Sequence, residues 1–423
     1  MPADRPVIAL RTLGCKVNRT ESESLADALG SAADVVMDSD LRADVVVINT
    51  CTVTAEADAK ARKAIRRALA DGARTVVVTG CLAAIDPDGL RALDPRVVVE
   101  ADRDRIAARV AKAAGLGRRW RDAVATVQHE PGRTRVMVKV QDGCDRRCSY
   151  CIVPDARGVP RSVRTAEVLS RVRALAQAGV PEIVLTGVNI GRYQDPEGAS
   201  DLAALVTGVA LTPIPRVRIS SIEPLDLDRR TLATLSGIGK VVPHLHIPLQ
   251  SGCDRTLLAM GRGYTVKDFE RVLSAARDAL PGLTVTTDVI AGFPGESDAD
   301  FRKSLAFVRR AGFARMHVFR YSARAGTPAA ARDDRIASAI VAQRAASMRE
   351  ASDKMVLAHM RARVGTSTRA VIERVSSGRA RGTADDSLTV EMLAAGLEPG
   401  QIVRVGIDGT GGRGYRGTVL ESE

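Results

Sequence analysis

The sequence lacks the features that would place it in a membrane or in the secretory pathway. No apolar run approaches the roughly 18 residues that a helix needs to span a bilayer. The first residues, MPADRPVIALRTLGC, have neither a charged region followed by an apolar stretch nor a cleavage site. We therefore expect a soluble protein of the cytoplasm, with no membrane partner.

Cysteine is scarce, and its distribution argues against disulfide bonds. The seven cysteines are an odd number and are unevenly scattered over 423 residues. This pattern favours metal-bound thiols in a reducing compartment over a disulfide framework. With 45% hydrophobic residues, the chain can bury a full core without such bonds. Its length is typical of two to four domains.

Positive charge is in excess, and it is concentrated in one part of the chain. The net charge is +12, and the segment from Arg302 to Arg374 alone contains sixteen Lys and Arg residues against five Asp and Glu residues. Such an uneven distribution favours a polyanionic partner, most simply a nucleic acid. The alternative is that these arginines only cover a solvated helix face.

The most informative stretch runs from Gln141 to Pro154 and reads QDGCDRRCSYCIVP, with Cys144, Cys148 and Cys151 in C-x3-C-x2-C spacing. No fourth cysteine or histidine stands beside them. Three thiolates can hold three irons of a 4Fe-4S cluster and leave the fourth iron open to a ligand. The alternative is that the three thiols line a core.

Residues 6 to about 100 alternate β-branched runs with helical patterns, which predicts a parallel sheet with helices on its faces. Three of the predicted strands end on a cysteine, namely Cys15, Cys51 and Cys81. Because neighbouring parallel strands lie about 4.8 Å apart, these thiols can converge on a second metal site. Any one of them could instead be a small buried apolar residue.

The stretch from Gly115 to Thr134 breaks this rhythm and is predicted to be an interdomain linker, with His129 as an ordinary surface residue. Six further strand and helix units follow, which suits a partly open barrel with its chemistry at the carboxyl ends of the strands. The predicted strands are TRVMVKV, EIVLTG, VRISSIEP, HLHIPLQSG, TVTTDVIAGFPGE and RMHVFRYSA.

The C-terminal part changes character twice. Residues Ile336 to about Arg363 form one long helical pattern, which could contact phosphates or cover the open edge of the barrel. His359 within it is expected to pack rather than to bind a metal. Short strands divided by Gly and Asp turns then predict a small antiparallel barrel. Such barrels commonly bind looped RNA, although this one lacks an obvious aromatic platform for stacking bases.

The cysteine loop, with Tyr150 just before its third cysteine, resembles that of the radical S-adenosylmethionine (SAM) superfamily. Together with the upstream cysteines and the terminal barrel, the whole chain resembles the methylthiotransferases. The fold class that this implies is α/β. Its expected parts are an N-terminal parallel α/β domain at 6–116, a partly open radical SAM (β/α)6 barrel at 130–360, and a TRAM-like RNA-binding β-barrel at 363–423.

The resemblance also implies roles for single residues. Cys144, Cys148 and Cys151 match the cluster that binds and cleaves SAM, and Cys15, Cys51 and Cys81 match the ligands of an auxiliary 4Fe-4S cluster. Cys253 matches neither set and is expected to be structural. Val163 stands where the family pattern has an arginine, and Arg164 follows it. The expected SAM contacts are Tyr150, Gly187, Ser221, Glu223, His246 and Asp288.

The segments TLGCKVNRTES and INTCTVTAEAD are similar to the branch that modifies N6-threonylcarbamoyladenosine at position 37 of tRNA. In that branch a SAM-derived radical removes the hydrogen on C2 of the base, and a methylthio group takes its place. The implied partners are the tRNA anticodon arm, an electron donor of the flavodoxin or ferredoxin type, and a sulfur donor.

Two kinds of alternative remain open. The same chemistry could act on isopentenyladenosine at position 37 or on an aspartate of a ribosomal protein. Alternatively, the chain could be a non-catalytic iron-sulfur protein that binds RNA or transfers electrons. The open iron argues against this second kind, because electron-transfer clusters usually have four cysteine ligands.

Overall fold

The computed structural model describes residues 5–38, 42–117, 120, 133–198 and 200–422. Most of the predicted linker, including His129, lies outside these residues. The described residues form two compact units. The first comprises those before residue 129 together with 142–160 and 322–331, and the second comprises the remainder. No helix in the described ranges is long and apolar enough to cross a membrane.

The N-terminal part of the first unit is a five-stranded parallel sheet of order β2-β1-β3-β4-β5. Its elements are β1 (Val7–Thr12), α1 (Lys16–Leu29), β2 (Asp34–Met37), β3 (Val45–Thr50), α2 (Ala55–Ala70), β4 (Thr75–Gly80), α3 (Cys81–Ile85), α4 (Pro87–Arg91), β5 (Val97–Val99) and α5 (Ile106–Ala113).

This sheet is covered on both faces, which explains its near-continuous apolar strands. Every residue of β3 is buried. Val46 and Ile48 belong to a core that includes Ile65 of α2. Val45 and Val47 belong to the opposite core, with residues of α1 and α5. The predicted parallel α/β architecture is therefore confirmed.

From residue 133 to residue 363 the chain again alternates strands and helices. These elements are β6 (Arg135–Lys139), β7 (Gln141–Asp142), α6 (Val153–Arg157), β8 (Arg161–Ser162), α7 (Thr165–Gln177), β9 (Glu182–Thr186), α8 (Leu202–Ala210), β10 (Arg216–Ile219), α9 (Arg229–Ser236), β11 (His244–His246), α10 (Asp254–Ala259), α11 (Val266–Ala279), β12 (Thr284–Ala291), α12 (Asp298–Arg310), β13 (Arg315–Arg320) and α13 (Ser338–Arg363), with short 3-10 turns at Ile190–Arg192, Pro224–Asp226 and Pro328–Ala331.

In the second unit, six of these strands form the predicted partly open barrel. Two three-stranded parallel sheets, β10-β9-β6 and β11-β12-β13, are joined by single bridges, of which one pairs Ser221 with His246. Helix α13 packs against β13, where Ser352 Oγ accepts a hydrogen bond from Met316 N at 3.1 Å and donates one to Met316 O at 2.9 Å. The long helix thus covers the barrel edge, which was one of its two predicted roles.

The C-terminal strands close into the predicted small barrel, in the order β14-β15-β16-β18-β17. All neighbours are antiparallel except β16 and β18, which are parallel. Met360 of α13 and Tyr415 lie in the core of this barrel. Its strands are β14 (Ser367–Ser376), β15 (Arg379–Ala384), β16 (Thr389–Leu393), β17 (Ile402–Gly411) and β18 (Gly414–Ser422).

Candidate functional site

Three cysteines gather at the carboxyl edge of the N-terminal sheet. Cys51 directly follows β3, Cys81 directly follows β4, and Cys15 comes three residues after β1 and caps α1. Strands β1, β3 and β4 are neighbours in the sheet. Cys51 and Cys81 are buried, whereas Cys15 is exposed. The predicted convergence of the three chain segments is therefore present.

The surroundings of these thiols fit a metal group. Gly14 has a φ of +107°, and a Cβ added there would lie 2.9 Å from Cys51 Sγ, so only glycine fits this turn. Burial raises the pKa of Cys51 to about 11, and the charges of Cys81 and Cys15 add to this rise. Burial likewise raises the pKa of Cys81, although Arg157 opposes it. Bound iron would supply the positive charge that lets such thiols ionise.

The second cysteine set lies on the loop between β7 and α6, also in the first unit. Gly143 has a φ of +72°, and a Cβ there would lie 2.1 Å from Val159 O. Cys144 N donates to Gly158 O at 3.0 Å, which closes the loop, and Cys151 N donates to Cys148 O at 3.0 Å. The loop therefore has a fixed backbone that presents three cysteines within eight residues.

Arg157, at the end of α6, connects this loop to the strand-end cysteines. Its side chain is 2% exposed. Its Nε donates to Cys81 Sγ at 3.2 Å, and its Nη2 donates to Asn18 Oδ1 at 2.6 Å. Its Nη1 donates to Asp142 Oδ1 at 2.7 Å and to Glu21 Oε1 at 3.0 Å. One guanidinium thus binds both ends of the cysteine loop to the region around Cys81.

A second arginine holds the turn that follows Cys51. Arg324 is buried, and its Nη2 donates to Thr52 Oγ1 at 2.7 Å and to Asp58 Oδ2 at 2.6 Å. In the same segment, Ala329 N donates to Ser149 O of the cysteine loop at 2.8 Å. Residues 322–331 therefore contact both cysteine regions of the first unit.

In the second unit, buried polar atoms mark the carboxyl ends of the barrel strands. Asn189 is 2% exposed and Ser220 is 3% exposed. Within the described residues, neither the side-chain amide of Asn189 nor the hydroxyl of Ser220 has a hydrogen-bond partner. Unpaired buried polar groups are costly, so these strand ends are suited to a polar ligand.

A cluster of three titratable side chains lies on the last three barrel strands. The potential ligand atoms of His246, Asp288 and His317 all lie within 4.8 Å of one another. His246 Nε2 lies 3.2 Å from Asp288 Oδ2, and its Nδ1 lies 3.0 Å from Thr286 Oγ1. The parallel register pairs Asp288 with His317, which places both on one face of the sheet.

The structure places the six predicted SAM contacts as follows. His246 and Asp288 are in contact, and Ser221 bridges to His246 through the backbone. Gly187 follows β9, where a Cβ would lie 2.9 Å from Gln141 Oε1. Glu223 is engaged in an ion pair with Arg262, whose Nη2 lies 2.5 Å from Glu223 Oε2. Tyr150 is in the cysteine loop of the first unit.

Other residues singled out from the sequence have structural contacts. The thiol of Cys253 is buried and donates to Asp300 Oδ1 at 3.3 Å. His359 Nε2 lies 2.9 Å from Asp386 Oδ2. Arg164 is half-exposed and pairs with Glu197 at 2.9 Å and with Glu167.

Four residues of these sites went unassigned by the sequence reasoning: Arg157, Arg262, His317 and Arg324. His317 carried a usable signal, because it lies in a predicted barrel strand, as His246 and Asp288 do. The sequence carries no comparable signal for the three arginines, because the residues they contact are distant in sequence. Arg157, for example, reaches Cys81 across 76 residues.

Comparison with known proteins agrees with this geometry. Residues 138–308 match the model of the radical SAM superfamily, and residues 7–100 match an uncharacterized protein family, UPF0004. The threonylcarbamoyladenosine tRNA methylthiotransferase MtaB of Bacillus subtilis is 37% identical over 82% of this chain and 80% of its own length. The chain belongs to the methylthiotransferase family. Its two cysteine sets fall one in each matched region.

Two further comparisons bear on the breadth of this family. The tRNA-2-methylthio-N(6)-dimethylallyladenosine synthase of Sphingopyxis alaskensis is 32% identical over 97% of both chains. Among solved structures, the radical SAM methyltransferase TsrM of Kitasatospora setae aligns with a TM-score of 0.57, at 16% identity, over 77% of this methylthiotransferase and 74% of TsrM. At that identity the likeness concerns the fold alone, which is the radical SAM fold.

Proposed function

We propose that this methylthiotransferase adds a methylthio group to C2 of N6-threonylcarbamoyladenosine at position 37 of tRNA. The observation that carries the proposal is the presence of two three-cysteine sets in one compact unit. The choice of base is supported by relatives named as threonylcarbamoyladenosine tRNA methylthiotransferases from three bacteria, at 34 to 37% identity.

Two 4Fe-4S clusters are the groups that these cysteines would hold. Cys144, Cys148 and Cys151 would bind the cluster that cleaves SAM, and Cys15, Cys51 and Cys81 would bind the auxiliary cluster. Cys51 and Cys81 fit this assignment, because a bound cation would offset the burial that otherwise keeps their thiols from ionising. Three ligands in each set leave one iron open for SAM or for sulfur.

The substrate carbon explains why such cofactors are needed. C2 of adenine carries an unactivated hydrogen that no side-chain base removes at neutral pH, and SAM with a 4Fe-4S cluster supplies a radical that can remove it. The chain's own residues hold and orient the cofactors. Gly187, Ser221, Glu223, His246, Asp288 and Tyr150 are the proposed SAM contacts. Asn189, just after β9, is proposed with them, because its buried side-chain amide has no partner among the described residues.

RNA binding is proposed for a basic groove of the second unit. The groove is lined by Arg315 and Phe319 of β13, Arg349 and Leu357 of α13, and Arg413 between β17 and β18. In the described part of the chain, Arg349 and Arg413 form no ion pair, so both are free to meet phosphates. A loop base such as position 37 can be splayed out for modification while its flanking backbone is held electrostatically.

We propose an auxiliary-cluster domain at 6–116, a radical SAM core at 130–360 and an RNA-binding TRAM-like barrel at 363–423. Reductive cleavage of SAM consumes one electron and the product gains a sulfur atom, so we propose an electron donor of the flavodoxin or ferredoxin type and a sulfur donor as partners.

Cysteine variants of the reconstituted enzyme test the two clusters separately. Replacing Cys144, Cys148 and Cys151 by alanine should abolish formation of 5'-deoxyadenosine from SAM under reducing conditions. Replacing Cys15, Cys51 and Cys81 should remove about half of the iron, leave that cleavage intact and stop methylthiolation. Iron content and product chromatography measure both effects.

Cys253→Ala is the matched control, because Cys253 is buried but bonded to Asp300. It should keep its iron and both activities. Unchanged iron after loss of Cys15, Cys51 and Cys81 would contradict the auxiliary cluster, and absence of 5'-deoxyadenosine from the parent enzyme would contradict radical chemistry.

A further inference from the structure

The environment of Arg157 goes beyond what holding a loop requires. All three guanidinium nitrogens donate hydrogen bonds, and the one nearest the backbone, Nε, is directed at Cys81 Sγ. A hydrogen bond to the thiol of a structural cysteine needs no charge. Because Cys81 would bind iron, the buried guanidinium places a positive charge 3.2 Å from the sulfur of a cluster ligand.

The charges around Arg157 are balanced without the thiols. Arg103 joins the same group, with its Nε 3.1 Å from Glu21 Oε1 and 3.8 Å from Asp142 Oδ2. Two arginines therefore face two carboxylates. Arginine keeps its charge at any working pH, and the carboxylates of Glu21 and Asp142 pair with Arg157 at 3.0 and 2.7 Å, so a charged guanidinium can be buried here. Arg157 contacts the sulfur, whereas Arg103 is directed at the carboxylates.

We propose that Arg157 is a positioning residue that raises the reduction potential of the auxiliary cluster through its hydrogen bond to the Cys81 sulfur. This inference rests on the proposed binding of that cluster by Cys15, Cys51 and Cys81. Hydrogen bonds to cluster sulfurs and nearby positive charge stabilise the reduced, more negative state. The bond from an arginine is charge-assisted and buried, and both properties strengthen it.

A raised potential matches the electron balance of the proposed reaction. When a carbon radical forms a bond to a methylthiolate sulfur, the product is a thioether and one electron is left over. By raising the reduction potential, Arg157 would favour uptake of that electron by the auxiliary cluster that Cys81 would help to bind. The residue thereby connects the loop that would generate the radical to the group that would take up the surplus electron.

The test is a redox titration followed by electron paramagnetic resonance. It uses the full-length chain with Cys144, Cys148 and Cys151 replaced by alanine, so that only the auxiliary cluster gives a signal. Adding Arg157→Gln should lower the equilibrium constant for reduction roughly tenfold, which is about 59 mV for one electron. Arg103→Gln, the matched control, should lower it clearly less, because it removes a charge without removing the bond to sulfur.

Two results would overturn the proposal: a fully loaded Arg157→Gln variant with the parent potential, or an equal shift in both variants. If Arg157→Gln fails to load iron, the parent protein labelled with nitrogen-15 arginine decides. Pulsed resonance should detect a nitrogen-15 coupling to the reduced cluster, and its absence would refute the contact. A parent without any cluster signal would instead refute the auxiliary cluster and hence the proposed function.

Discussion

At the scale of single residues, Gly14 is the position where backbone and site depend on each other most closely. A Cβ at Gly14 would lie 2.5 Å from Cys51 Cβ, and its φ of +107° disfavours any other residue. Gly14→Ala should therefore displace Cys51 and lose about half of the iron after reconstitution. Iron analysis and the visible absorption of the clusters measure this loss.

Gly72→Ala is the control for backbone strain alone. Gly72 has a φ of +93°, but a Cβ there would meet nothing within 4 Å. Both variants should lose about 1–2 kcal/mol of stability from the left-handed backbone, and only Gly14→Ala should lose iron. Equal iron in the two variants would show that Cys51 does not need this close turn to bind its metal.

The cysteines were predictable from sequence, and the residues that surround them were not. Cys51 and Cys81 directly follow apolar runs, so their place at the sheet edge follows from the order of strands and helices. Arg157 and Arg324 occur among many other arginines, and only the folded chain shows that these two are buried beside the cysteines. Burial of a charge depends on partners from distant segments, which spacing alone does not reveal.

At the scale of structural elements, a buried carboxylate, that of Asp386, joins three segments of the C-terminal barrel region by hydrogen bonds. Asp386 accepts hydrogen bonds from Tyr415, from Leu388 N at 3.0 Å and from His359 Nε2. Burial alone would raise the pKa of Asp386, but these bonds outweigh burial and hold the pKa below its ordinary range. The carboxylate therefore connects α13 to the turn between β15 and β16 and to β18.

A pH dependence of stability follows from Asp386. Because its pKa is lowered on folding, its contribution is present above the unfolded value near 3.9 and is lost as pH falls through the folded value. Asp386→Asn should cost on the order of 2 kcal/mol at neutral pH and reduce the loss of stability in acid. Thermal unfolding at several pH values measures both effects.

Asp408→Asn is the control in the same barrel, because Asp408 is exposed and, within the described residues, accepts a hydrogen bond only from Thr418. It should change neither the melting temperature nor its acid dependence appreciably. An Asp386 variant that behaves like the Asp408 variant would show that the buried carboxylate does not stabilise the barrel.

The basic groove of the second unit yields a prediction on RNA affinity. Arg349→Gln and Arg413→Gln should each weaken binding of the anticodon arm and lower the salt dependence of the affinity by about one unit of slope, because each loses about one phosphate contact. Titrations at several salt concentrations measure this. Arg271→Gln, an exposed position on α11 beside Asp268, should leave affinity and slope unchanged. Equal effects at all three positions would point to diffuse charge instead of this groove.

At the scale of elements, periodicity predicted most of the fold. The six barrel strands and the terminal barrel were expected, and the structure confirms both. The helical pattern of α13 was compatible with two roles, contacting phosphates or covering the barrel edge. Its packing on β13 shows that it covers the barrel edge. The parallel pairing of β16 with β18 was not foreseen, since all short strands there were expected to be antiparallel.

At the scale of the whole molecule, the compact units of the structure do not coincide with the consecutive domains predicted along the sequence. The cysteine loop belongs to the compact unit of the N-terminal sheet, although it lies within the predicted radical SAM segment. The barrel and the terminal β-barrel share the other unit, where the fully buried Arg216 pairs with Glu182 at 2.8 Å and with Asp385 at 2.9 Å. Such long-range ion pairs leave no trace in composition or spacing.

The central claim is that this chain places a methylthio group on N6-threonylcarbamoyladenosine of tRNA. Mass spectrometry of nucleosides from a strain that lacks the gene tests it most directly. The methylthio form of threonylcarbamoyladenosine should disappear, its unmodified precursor should accumulate, and the gene with intact cysteines should restore the product. Persistence of that nucleoside with loss of the methylthio form of isopentenyladenosine would contradict the claim and assign the chain to the other tRNA branch.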